Sequence, residues 1–196
     1  ITYSELRELA YMGATVLHED AIFPVRAAGI PVNIKNTNCP QDRGTMIVSE
    51  TAEPCEHIIT GIAGKKGMSV INIEKDKMNS EVGFGRNVLR ALESVVIQTD
   101  KLAGKETTIL DEIRSRVHPD QLYIESNLAL IAVVGRGMKS ARGTAAILFT
   151  ALADARVNIK MIDQGSSELN IIIGVAEEDF EVAMKAIYNA FIKVKK

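Results

Sequence analysis

The alternation of apolar and polar positions is clearest between Leu128 and Phe191. Leu128-Ala-Leu-Ile-Ala-Val-Val134 is an unbroken apolar run, Gly135-Arg-Gly137 interrupts it, and Gly143 to Ala155 then repeats apolar residues at helical spacing. Val157 to Ile162 and Leu169 to Val175 read as strands joined by Gln164-Gly-Ser-Ser167, and Glu178 to Phe191 returns to the helical period. Strand, helix, strand, strand, helix is most of a split βαβ unit of the ferredoxin-like kind. A fainter copy lies upstream. Met68 to Ile73 reads as a strand, Gly83 to Glu93 as a helix, Val95 to Thr99 as a strand, Thr107 to Val117 as a helix and Gln121 to Glu125 as a strand. The chain therefore carries an internal repeat of roughly 60 residues.

Counting elements in the two copies exposes two irregularities. Setting Gly83 against Gly143 and Leu92 against Leu152 leaves roughly 14 residues of the second copy, its second strand and the loop to Ser167, without a counterpart in the first. The shortfall falls at 93/94, where Ser94-Val-Val-Ile97 follows the helix with no turn residue between. The second copy in turn lacks a fourth strand, because only Ile-Lys-Val-Lys-Lys follows Phe191. Ile58 to Ala63, with Gly64-Lys-Lys-Gly67 read as a turn after it, is an orphan strand able to fill that place. The first repeat is then inserted in the second.

The first 48 residues follow another pattern. Ser4 to Met12 predicts a helix ended by Gly13, with Thr2 and Glu5 at capping-box spacing before it, and Val16 to Ala28 predicts a second helix closed by Gly29. Ile30 to Ile34 and Thr45 to Val48 read as short strands around the polar loop Asn36 to Gly44. Two helices and one hairpin bury too little surface to stand alone, so this segment reads as the end of a larger α/β domain that begins upstream of Ile1. Thr51 to His57 is a linker by composition.

Composition narrows the function classes. With 46% hydrophobic and 24% charged residues the chain reads as globular, and a net charge of −2 with scattered basic residues does not suggest a nucleic-acid partner. No apolar run approaches the roughly 20 residues of a spanning helix, and the N-terminus has no signal-peptide pattern, so no membrane is expected and the cytoplasm is the default location. Cys39 and Cys55 lack CxxC spacing and read as reduced thiols, and no metal site is expected. His18, His57 and His118 have no nucleophile or carboxylate at diagnostic spacing. His118 before Pro119 reads as a helix end, and no catalytic residue is assigned.

Several stretches carry a family likeness. Ile131-Ala-Val-Val-Gly135 with Asn158-Ile-Lys-Met-Ile-Asp-Gln-Gly-Ser-Ser167 resembles the tandem ACT regulatory domains of bacterial aspartate kinases. Tyr11-Met-Gly-Ala-Thr-Val-Leu-His18, Gly29-Ile-Pro-Val32 and Gly44-Thr45 resemble the end of that family's amino-acid-kinase domain, with departures at Thr15 and Glu19, where the family usually has Lys and Pro. The resemblance implies an α+β fold of tandem ferredoxin-like βαββαβ (ACT) units, one inserted in the other, after a C-terminal fragment of the α/β kinase domain. The implied division is 1–50 for the kinase fragment, 51–67 for the linker and completing strand, 68–126 for the first ACT unit and 127–196 for the second. It also implies a parent enzyme that phosphorylates aspartate with ATP and Mg, restrained by an end-product amino acid, lysine, threonine or both, and a homodimer formed through the ACT units. The family's phosphate- and aspartate-binding motifs lie in the missing N-terminal kinase region, so these residues by themselves are expected to have no cofactor and no kinase activity.

The turn between the first strand and first helix of each unit is the candidate effector site. A helix N-terminus offers unpaired N–H groups to a carboxylate, and glycine permits close approach to the backbone. In the first unit this selects Met78, Ser80, Glu81, Gly83 and Phe84, with Glu81 as partner for an ammonium group. In the second it selects Met138, Gly143, Asn158, Ile159, Gln164 and Ser166, for effector binding or for an interface. Read from pattern alone, the same residues also fit turn and core positions. A separate amino-acid-binding regulatory subunit, or a dimerisation module without catalysis, stays open beside the kinase reading.

Overall fold

The computed structural model describes residues 1–14, 17, 19–51, 57–76, 88 and 96–193. They form two compact units. A terminal unit joins Ile1–Lys65 to Leu130–Lys196, and an inserted unit comprises Lys66–Ala129.

The terminal unit opens with α1 (Tyr3–Tyr11), whose start is fixed by a complete capping box between Thr2 and Glu5. Gly13, at φ +100°, lets the chain turn away from the helix end. After α2 (Glu19–Ala27), β1 (Val32–Ile34) and β2 (Thr45–Ile47) pair antiparallel with Val32 opposite Ile47. Tyr3 and Leu6 lie one turn apart on α1 and bury themselves against Ile47, with Ile22, Val32 and Ile34 around them. Thr2 forms a parallel bridge to Val48, and the Tyr3 amide donates to the Val48 carbonyl at 3.0 Å. Tyr11, Phe23, Ile30 and Met46 remain exposed.

The rest of the terminal unit is a sheet with two helices. Its strands lie in the order β3-β5-β7-β6, using the start of β3 (Gly61–Glu74), the end of β5 (Gln121–Val134), β6 (Ile159–Asp163) and β7 (Asn170–Ala176). A 3-10 turn (Arg136–Lys139) leads from β5 towards α5 (Thr144–Asp154), and a second 3-10 turn (Glu177–Asp179) leads from β7 into α6 (Phe180–Lys193). Ile131 and Val133 of β5 are wholly buried, as are Ile173 and Val175 of β7, Leu148 and Leu152 of α5, and Ala183 and Ile187 of α6. The helical pairs recur every four residues, which turns one stripe of each helix into the core. The place beside β5 is filled by the start of β3, with the Thr60 amide donating to the Val134 carbonyl at 2.7 Å. The expected insertion is what the sheet order requires.

The inserted unit has the order β4-β3-β5, with β4 (Val96–Gln98) antiparallel to β3 through Met68 opposite Gln98 and Val70 opposite Val96. A short helix α3 (Thr99–Leu102) and then α4 (Glu106–Val117) return the chain to β5. Ile71, Val88, Ile113 and Val117 form its core, with Ile97, Leu122 and Ile124 packed around them. The wholly buried Ser69 places its hydroxyl 2.9 Å from those of both Thr99 and Ser126, so a polar group inside the sheet keeps its partners. His118 caps α4 at φ +48°, the helix end expected before Pro119.

Two expectations are corrected. Gly64-Lys-Lys-Gly67 is no turn, because Gly61–Ala63, the end of the expected strand Ile58–Ala63, and Met68–Ile73 belong to one strand from Gly61 to Glu74, with Ile58–Thr60 leading into it. Gln121–Glu125 and Leu128–Val134 are likewise one strand, Gln121–Val134. Gly67 (φ +70°) and Asn127 (φ +59°) give the sequence its turn-like marks, yet each strand continues through its single left-handed residue. Apart from the buried, helical Val88, the expected helix Gly83–Glu93 and the shortfall at 93/94 fall outside the described residues.

Candidate functional site

The turn that follows β5 is the best-described candidate. Gly135 is extended, so its lack of a side chain answers to space and not to backbone strain. A Cβ there would stand 2.6 Å from the Ile59 Cα and 2.7 Å from the Thr60 amide nitrogen. At Gly137 a Cβ would stand 2.6 Å from the His57 and Ile58 carbonyl oxygens. Both glycines let the segment His57–Thr60 cross directly over the turn. Gly143 differs, since at φ +86° it is left-handed and open space surrounds it.

Charge enters from α1. Glu5 is wholly buried, and each of its carboxylate oxygens accepts two hydrogen bonds. One takes the Thr2 amide at 2.7 Å and the Thr2 hydroxyl at 2.8 Å. The other takes the Thr60 hydroxyl at 2.5 Å and the backbone amide of Arg136, the first residue of the 3-10 turn, at 3.0 Å. The Arg136 guanidinium lies 3.9 Å from the same carboxylate. Burial by itself would raise the Glu5 pKa, but the hydrogen bonds from Thr60, Thr2 and Arg136 outweigh it and hold the group below the ordinary glutamate value. One turn further along α1, Glu8 accepts from the side-chain amide of the buried Asn170, at the start of β7, at 2.7 Å. Leu9 lies against Gly61, where a Cβ would meet it at 3.3 Å.

The residues selected from sequence are placed as follows. Met138 is buried in the 3-10 turn and Gly143 is the exposed residue before α5. Asn158 precedes β6 and is exposed, Ile159 opens that strand half-buried, and Gln164 and Ser166 stand exposed in the loop to β7. The carboxylate that approaches the turn after β5 is the chain's own, from Glu5, whose capping-box spacing was visible but whose reach to Arg136 was not. Met78, Ser80, Glu81, Gly83 and Phe84 lie outside the described residues. A cavity of about 260 Å³ opens beside Arg136, lined also by Arg43, Met46, Val48 and Glu50. Among the described residues no group of three or more His, Cys, Asp and Glu side chains could hold a metal, and no helix is long and apolar enough to cross a membrane.

Residues 131–191 match the family model of the ACT domain. Aspartokinase 3 of Bacillus subtilis (strain 168) is 39% identical over 208 residues, covering 97% of this chain and 46% of that protein. The aligned length exceeds the 196 residues of the chain, so the relative carries residues with no counterpart here. The crystal structure of Clostridium acetobutylicum aspartate kinase, described as an allosteric enzyme, superposes with a TM-score of 0.88 at 54% identity, covering 97% of this chain and 48% of that one. E. coli aspartokinase III in complex with lysine and aspartate (T-state) superposes with a TM-score of 0.71 at 25% identity over 97% of this chain and 46% of that one. The chain spans about half the length of each of these three relatives.

Proposed function

Because this chain is an aspartokinase homologue along 97% of its length, with an ACT domain at 131–191, we propose that it is the regulatory portion of an aspartate kinase. The parent enzyme would transfer phosphate from ATP, with Mg, to the side-chain carboxylate of aspartate, and an end-product amino acid, lysine or threonine or both, would restrain it. The residues of the phosphoryl-transfer step lie in the kinase region that these residues do not include. The proposed division is 1–50 as the end of that region, 51–67 as linker and completing strand, and 68–126 and 127–196 as the ACT units.

The observation that carries this reading is the strand order β3-β5-β7-β6. In it the second unit borrows its last strand from the segment after the kinase-like end, which ties the ACT fold to that end by construction. We assign the effector to the turn of the first unit, at Met78, Ser80, Glu81, Gly83 and Phe84, where Glu81 would meet its ammonium group and the helix amides its carboxylate. The turn of the second unit, with Met138, Gly143, Asn158, Ile159, Gln164 and Ser166, is assigned to contacts within and between chains, because a carboxylate of α1 already takes the Arg136 amide. The edge strands β4 and β6 would pair in a homodimer.

Calorimetric titration of the full-length protein with lysine and with threonine tests this. Saturable binding that Gly83→Asp weakens at least tenfold is expected, about 1.4 kcal/mol. Binding of neither amino acid, or binding indifferent to Gly83→Asp, contradicts it.

A further inference from the structure

We propose that Glu5 is a latch, a carboxylate of the kinase-side helix seated against the second ACT unit's turn, through which that unit's state is passed to α1. The inference rests on the regulatory reading above and adds the residue that couples the two parts.

Three chain segments meet at this side chain. Thr2 begins α1, Thr60 leads into β3, and Arg136 begins the turn after β5, and all three donate to the same carboxylate. The main chain leaves the first turn of α1 at Val48, which is hydrogen-bonded to Ile1 and Tyr3, and comes back to it at Thr60. Val48 and Thr60 are thus both held by one helix turn. A displacement of the Arg136 turn therefore reaches α1 through the Glu5 carboxylate, without depending on the stiffness of the linker. The Glu8–Asn170 bond, on the same face of the helix, fixes its orientation on β7. A carboxylate suits the task because its two oxygens accept from several donors at once, so moving any one donor disturbs the others.

The test is Glu5→Gln in the full-length protein, with Thr60→Val as a milder variant that keeps the charge and removes one donor. Two quantities are read. Hydrogen exchange of the peptides containing Arg136 and Thr60 should accelerate about tenfold in Glu5→Gln, while peptides from Ile171–Val175 stay unchanged. The factor by which lysine or threonine weakens aspartate binding should fall towards one, while effector affinity in the absence of substrate moves less than about threefold. Thr60→Val should shift both in the same direction by a smaller amount, and it decides the matter if Glu5→Gln does not fold. Unchanged exchange overturns the latch. Faster exchange with the coupling factor intact overturns its role in transmission. If wild-type protein binds neither amino acid, the regulatory reading fails, and the exchange measurement still decides whether Glu5 holds the turn.

Discussion

Replacing Glu5 by Gln tests the terminal unit's packing as well as its signalling, and its cost can be worked from the bonds. Glutamine keeps the shape and one carbonyl oxygen but turns the other oxygen into an NH2 donor. Whichever way the amide is turned, its NH2 faces a backbone N–H, that of Thr2 at one end or that of Arg136 at the other. The hydroxyls of Thr2 and Thr60 rotate to accept, but a backbone N–H cannot. One buried donor is thus left without an acceptor, which costs about 1–3 kcal/mol. For a chain of this size that lowers the melting temperature by roughly 2–4 °C per kcal/mol. Urea denaturation followed by circular dichroism measures it, with an unchanged slope showing that stability alone has moved. The pH dependence supplies a signature. The folded-state pKa of Glu5 is depressed, so its stabilising contribution is complete above the unfolded value of about 4.3 and is lost as pH falls through the folded value. The wild-type and Glu5→Gln curves should therefore lie apart at neutral pH and converge on acidification. A difference below about 0.5 kcal/mol at neutral pH, within the range of ordinary surface changes, would mean that the four bonds to Glu5 do not hold the fold together.

Other expectations follow from the same packing. Gly135→Ala places a methyl against the backbone of Ile59 and Thr60, which cannot move like a side-chain tip, and should cost about 1–3 kcal/mol in urea denaturation, with loss of protection at Thr60. Gly143→Ala meets open space and should lose only the left-handed backbone preference, about 1–2 kcal/mol, without altering exchange at Thr60. Ile113→Ala empties a wholly buried position of the inserted unit and should destabilise that unit by about 2–5 kcal/mol, read as faster exchange in α4 with β7 unaffected. These residues by themselves should form no aspartyl phosphate from ATP and aspartate, which a hydroxamate assay checks directly.

What the sequence disclosed was local or periodic. Thr2 and Glu5 announce the start of α1 because a capping box is complete within four residues. The β5 run announces a buried strand because both of its faces are apolar. Counting strands in the two copies was enough to place the start of β3 beside β5. Where turn residues occur inside strands the reading failed, since Gly67 and Asn127 carry the marks of a chain reversal and the strands continue past them. The partnership of Glu5 with Arg136 was not legible either. Those residues are 131 apart, and the capping box already gave Glu5 a sufficient role while using only part of its acceptor capacity. One signal did exist, in that Gly135 and Gly137 bracket Arg136. The space their missing side chains leave is taken by His57–Thr60.

Whether this region reads an amino acid and restrains a kinase is decided by the rate of aspartate phosphorylation in the full-length protein as lysine and threonine are titrated at fixed ATP and aspartate. Saturable inhibition by at least one of them is expected, relieved by raising aspartate when the coupling is expressed in substrate affinity, and abolished by Gly83→Asp with the uninhibited rate retained. A rate that stays constant to millimolar concentrations of both amino acids would contradict it.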